Sequence, residues 1–230
     1  MITTSSAKKL NSLVHRYKSQ VPAPVEGNWQ LRSDGELWAS VLVQIAVVGS
    51  AASGQALKEV LSGKQAWYEH LLIMATKARS KAIHKAFREA GVRFASSTLD
   101  ECRKTAAATY NFEVLNSYGG PKSYFSKVAA VPDEHWRIAV VGDELSYVKN
   151  KGARDLLIGL GLVHRAIAFD SRLMKVLEHV GVHIPADLAA NKPKYKALER
   201  ELLEKVCKAS AITGGPLDRI LFAKYAEIVA

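Results

Sequence analysis

Cysteine is scarce in this sequence: of 230 residues only Cys102 and Cys207 carry a thiol. They lie far apart, and neither has a histidine at metal-ligand spacing, so neither a disulfide framework nor a zinc site is implied and both read as ordinary helix residues. No apolar run reaches the length a membrane span needs, and the N-terminus, MITTSSAKKLNSL, lacks the hydrophobic region and small-residue cleavage site of a signal peptide. The expectation is a soluble, cytoplasmic protein. Low-complexity tracts are missing, as is any repeat at solenoid period. Acidic residues are also short: 22 Asp and Glu face 32 Lys and Arg, a net charge of +10. That balance favours a polyanionic partner, nucleic acid first and an acidic membrane surface next.

Alternating strand patterns are rare, and most of the chain carries a 3.6-residue apolar rhythm, which predicts an all-α fold. The spacing predicts helices over 4–19, 34–48, 52–62, 64–90, 97–117, 122–130, 133–146, 151–162, 170–181, 185–210 and 215–228. Gly63, Gly91, the Gly-Gly-Pro at 119–121, Pro132, Pro185 and the Gly-Gly-Pro at 214–216 mark breaks. In the segment 64–90, Trp67, Leu71, Met74, Ala78 and Ile83 fall near one face, and Lys77, Arg79, Lys81, Lys85 and Arg88 largely around the other. That is the pattern of a core helix with a solvated basic side.

The stretch VKNKGARDLLIGLGLVHRAIAFDSRLMKVL, residues 148–177, places Lys151 at the start of one helix and Asp170 at the start of the next. Ala153, Leu156, Leu157 and Leu160 form the buried side of the first helix. Asp170, just before Ser171-Arg172-Leu173, has the position of an N-cap. A lysine that attacks carbon must be neutral part of the time, and the positive end of a helix dipole together with Lys149 works towards that. A capping aspartate is biased instead to its charged form, suited to steadying a developing cation or moving protons.

The pattern K-x-A-x-x-L-L-x-G-x-G, followed by A-I-A-F-D-S-R-L, resembles the helix-hairpin-helix superfamily of DNA glycosylases, closest to the archaeal type 2 8-oxoguanine glycosylases. There a lysine after a hairpin turn is followed about twenty residues later by an aspartate. ELWASVLVQIAVVGSAASGQAL (36–57) is similar to that subfamily's early helix and turn, and GPLDRILFAKYAEIVA (215–230) to its short C-terminal helix. The resemblance implies an all-α, two-lobed fold with the active-site cleft between the lobes. One lobe would comprise 1–62 and 163–230 and the other 63–162, ending in the helix-hairpin-helix at about 133–162. It implies a bifunctional DNA glycosylase and AP lyase acting on 8-oxoguanine, with Lys151 as the Schiff-base nucleophile on C1′ and Asp170 assisting base departure. No metal or organic cofactor is implied, and the partner is double-stranded DNA containing a damaged base, bound by a monomer, with no membrane involved.

Lys149, Asn150, Gly152 and Arg172 are the expected DNA contacts; Trp38, Gly49, Ser50 and Phe222 are the expected base pocket. The aromatic members could offer a face to an extruded base, as Trp67 and Trp136 also could, although each alone fits a core role. Two departures from the family pattern stand out. Tyr147 and Lys149 occupy hairpin positions where the family has glycines, and Gly49 replaces an Asn at the end of the early helix. These leave open a glycosylase for another modified or alkylated base, and a catalytically silent helical DNA-binding protein. His179 and His183 have metal-like spacing, but Gly181 and Pro185 predict the helix ends between them, so they and His164 read as packing or surface residues.

Overall fold

The computed structural model describes residues 2–61, 65–95 and 97–230, apart from the side chains of 65 and 66, and every regular element among them is helical. The chain divides into two compact units, Met1–Glu26 with Leu157–Ala230, and Gly27–Leu156. Helix α1 (Thr4–Tyr17) opens the first unit, fixed by a capping box between Thr3 and Ser6.

The second unit is organised around α2 (Asp34–Val47), whose Ser33–Glu36 capping box satisfies its first amides and whose acidic first turn suits the helix dipole. Leu37, Trp38, Val41, Leu42 and Ile45 are almost wholly buried, giving α2 apolar contact on several sides. It packs against α3 (Ala51–Val60), α4 (Gln65–Ile73), α6 (Arg103–Ser117) and α7 (Pro121–Ala130). That packing keeps 27–61 with the middle of the chain. The limits expected at 62/63 and 162/163 therefore do not coincide with the observed division, and residues 62 and 63 lie outside those described.

The single helix expected over 64–90 is two, α4 and α5 (Thr76–Glu89), broken at Met74–Ala75. Arg79, expected on the solvated face, is 5% exposed. Its Nε donates to the Leu71 carbonyl at 2.9 Å and its Nη2 to that of Met74 at 2.5 Å, supplying donors to the open end of α4. The guanidinium lies 3.3 Å from the Phe112 ring centroid and pairs with Glu113 at 3.2 Å. Ala78, expected inward, is exposed, while Lys77, Lys81, Lys85 and Arg88 remain on the surface. Helix α6 starts at Arg103 rather than near 97, after a turn in which Thr98 binds the Glu101 carboxylate. Helices α8 (Glu134–Glu144) and α9 (Asn150–Gly159) follow.

The rest of the first unit comprises α10 (Ser171–His179), α11 (Lys192–Leu202), a π-turn at Leu203–Cys207, α12 (Lys208–Ser210), α13 (Gly214–Ala223) and α14 (Tyr225–Val229). The helix expected over 185–210 begins only at Asn191, whose side chain caps α11, and loses α-helical pairing at the π-turn. Leu10 and Val14 of α1, Val176 and Leu177 of α10, Leu202, Val206, Leu217 and Leu221 build a continuous core. At about 1.5–3 kcal/mol for each such side chain, this core dominates the unit's stability. Both cysteines are free and buried, and burial pushes the Cys207 thiol up to about 12. Histidine 179 ends α10, and Gly181 turns away with φ +88°, so His179 and His183 do not share a helix.

Candidate functional site

The turn between α8 and α9, residues 145–149, contains no glycine. Tyr147 itself adopts φ +63°, a left-handed conformation that L-residues rarely take. It is held there from both sides. The buried Asn111 of α6 donates from Nδ2 to the Ser146 carbonyl at 2.8 Å, and the Ser146 amide donates to Asn111 Oδ1 at 2.7 Å. Leu145 and Val148 are fully buried on either flank, and the Tyr118 hydroxyl donates to Glu144 at 2.8 Å. Lys149 is exposed and donates to the Gly142 carbonyl at 3.3 Å. Asn150 opens α9 and accepts from the buried guanidinium of Arg154 through its side chain.

Lys151, in the first turn of α9, has a side chain 38% exposed, so its amine reaches solvent. Asp155, one turn on, lies 3.7 Å from the Lys151 Nζ and accepts at 2.9 Å from Nε2 of Gln44, a residue of α2. Gly152 faces the same glutamine: a methyl group added there would lie 3.6 Å from Gln44 Oε1.

At the α2–α3 turn, Gly49 takes φ +80° and its carbonyl accepts from Arg93 Nη1 at 2.7 Å. The Arg93 amide donates to Ser53 at 3.0 Å, and its guanidinium lies 4.7 Å from the Phe94 ring centroid. Phe94 is 65% exposed and adopts φ +67°. An exposed aromatic on strained backbone, braced by a cation, is a feature the sequence did not announce. Behind it, the buried Lys104 donates to the carbonyls of Ala46 and Val48, each at 2.9 Å. Burial pulls its pKa below the ordinary lysine value, and Arg93 acts in the same direction. Ser50 begins α3, half-buried, with no side-chain cap bond. Trp38 is fully buried and meets Phe112 edge-on at 5.5 Å, so its ring offers no open face to a base, contrary to the expected pocket role. A large apolar ring in the middle of α2 serves packing first.

In the other unit, Asp170 caps α10 as expected, its Oδ1 accepting from the Leu173 amide at 2.7 Å. The irregular connector before it is clamped through three consecutive amides. Ile167 donates to Glu199 at 2.9 Å, Ala168 to Asp218 at 2.6 Å and Phe169 to the Tyr195 hydroxyl at 2.9 Å; that hydroxyl donates to the Ile167 carbonyl at 2.8 Å. Glu199 and Asp218 are buried carboxylates, and each answers a backbone donor that irregular chain would otherwise leave unpaired. Gly214 lies so close that a methyl group there would sit 2.6 Å from the Ala166 carbonyl oxygen. Arg172 and Phe222, considered separately from sequence, stack: the guanidinium carbon is 5.0 Å from the ring centroid. Phe222 is 36% exposed, Trp136 projects into solvent, and Trp67 meets Tyr68 edge-on at 5.3 Å. Among the described residues no cluster of His, Cys, Asp and Glu is arranged to hold a metal, and no helix is long and apolar enough to cross a membrane.

The all-helical chain, in which a braced turn introduces a lysine-bearing helix and an aspartate-capped helix follows, shares its fold with solved 8-oxoguanine DNA glycosylases. The 8-oxoguanine DNA glycosylase of Methanocaldococcus jannaschii matches with a TM-score of 0.68 at 13% identity, over 94% of this chain and 91% of that one. The same organism's 8-oxoguanine glycosylase/lyase, in complex with a 15mer DNA containing 8-oxoguanine, matches over the whole of both chains with a TM-score of 0.65 at 14% identity. The 8-oxoguanine DNA glycosylase of Thermotoga maritima gives 0.67 at 13%, over 95% and 93%. No family model and no curated protein matches the sequence.

Proposed function

We propose that the protein is a DNA glycosylase with AP-lyase activity, acting as a monomer on double-stranded DNA and removing 8-oxoguanine. The observation that carries this reading is a conjunction within one fold. Over nearly its full length the chain shares the architecture of 8-oxoguanine glycosylases, and in that architecture a solvent-reaching lysine follows the hairpin and a capping aspartate follows nineteen residues later. Lys151 attacks C1′ of an everted nucleotide, Asp170 steadies positive charge on the sugar as the base leaves, and the resulting imine permits β-elimination of the 3′ phosphate. Lys149, Asn150, Gly152 and Arg172 contact phosphates. The excess of basic residues supplies long-range attraction to DNA. Phe94, exposed and braced by Arg93, suits a wedge entering the stack where the nucleotide has left. Phe222 with Arg172 offers an aromatic plane for the base.

A second reading, favoured by Gly49 in the turn where the resembled enzymes carry an asparagine, keeps the fold and changes the base to another modified or alkylated one. Incision of a panel of duplexes, each with one modified base, decides between them: cleavage confined to 8-oxoguanine supports the first reading, and cleavage of a different lesion the second. Salt-sensitive binding without any incision indicates a silent DNA-binding protein.

A further inference from the structure

We infer that Asp155 is a further catalytic residue, the base that takes the proton from Lys151; this rests on the amine chemistry proposed above. Its carboxylate is 3.7 Å from the Lys151 Nζ, one turn along the same helix face. An attacking lysine must first lose a proton, and a general base has to lie within direct or one-water reach of it, a distance that commonly tightens when substrate binds.

Two features set this pair apart from an ordinary surface ion pair. Lysine preceding the acid by four residues is the orientation that helps a helix less, so the pair has little to offer α9 itself. The carboxylate is also anchored from another helix. Gln44 of α2, 8% exposed, donates to the same oxygen, Oδ2, at 2.9 Å. Its own Oε1 is buried with no hydrogen-bonding partner. Burying half of an amide unsatisfied is costly, and what the arrangement returns is an Asp155 fixed in place. Gly152 leaves the space beside that amide open. A surface aspartate that merely neutralised a lysine would need none of this, since such pairs form and break freely in water.

In the step it serves, one proton moves from the Lys151 ammonium to an Asp155 carboxylate oxygen. The freed electron pair forms the Nζ–C1′ bond as the bond from C1′ to the base nitrogen breaks, and its electrons leave on the base. The base takes up the proton that Asp155 had accepted, directly or through water. The secondary ammonium on C1′ then gives a proton to O4′ as the C1′–O4′ bond opens, leaving the protonated imine. Asp170 keeps its separate role of opposing the sugar cation.

The test measures borohydride-trapped adduct on a duplex with a preformed abasic site, where attack by the amine is read without base departure. Trapping by Asp155→Asn should be slower on the order of 100-fold, with affinity for a duplex carrying a stable abasic analogue unchanged within twofold. Asp155→Ala should regain trapping in proportion to added formate, a response that mere positioning of Lys151 would not give. An Asp155→Asn protein that traps at the parental rate, or a slow Asp155→Ala protein deaf to formate, overturns the inference and leaves the amine chemistry standing. A parental protein that forms no adduct overturns both together.

Discussion

Asn111 and the backbone of Ser146 are joined by two hydrogen bonds across thirty-five positions of sequence, one from Nδ2 to the carbonyl at 2.8 Å and one from the amide to Oδ1 at 2.7 Å. The amide side chain thereby does for the hairpin what glycines do elsewhere, holding Tyr147 at φ +63°. Removing it leaves two backbone groups of Ser146 unpaired beside a strained residue. Asn111→Ala should lower unfolding free energy by about 2–4 kcal/mol, read from denaturant midpoints, and weaken binding to any duplex through the hairpin. Asn111→Asp keeps the acceptor, loses the donor, and should fall between.

Gly214 bears on the connector that ends at Asp170. A methyl group there would lie 2.6 Å from the Ala166 carbonyl oxygen and 3.0 Å from two carbonyl carbons, all of them backbone. Because nothing flexible can yield, Gly214→Ala should destabilise the fold by about 3 kcal/mol in denaturant unfolding. Where it still folds, base release should slow more than DNA binding weakens, because the displaced segment carries Asp170.

Glu201 makes stability depend on acid. Its carboxyl is held below the ordinary value of 4.5, chiefly by the Ile2 amide, which donates to it at 2.6 Å, with Lys205 adding to the effect. A group lowered on folding contributes stability that is present above its unfolded value and disappears as pH drops through its folded one. Glu201→Gln should therefore be less stable than the parent at neutral pH, and the two melting temperatures should converge as pH falls below the ordinary carboxyl value of 4.5.

How much of this was legible beforehand differed by residue. The capping role of Asp170 was plain, because a short polar acceptor before an amphipathic run has one obvious use. The break inside 64–90 was not: no glycine or proline interrupts Met74–Ala75, and Arg79, which makes the break tolerable, looks from composition like any surface arginine. The same holds for Tyr147, since the usual signs of left-handed backbone are Gly and Asn, and its support sits in a helix far away in sequence. Trp38 and Phe94 were hard to read for a related reason. A tryptophan in α2 looked available to a base and is buried, whereas Phe94, in an unremarkable loop, is exposed. Asp155 matters only because a partner on α2 reaches it, and no local pattern records that.

The proposed reaction requires the Lys151 amine to become bonded to C1′. Mass mapping of the borohydride-reduced complex with an 8-oxoguanine duplex tests this directly. A deoxyribose remnant is expected on the peptide containing Lys151, with loss of the adduct in Lys151→Gln. An adduct on another residue, or one that persists undiminished in Lys151→Gln, contradicts it.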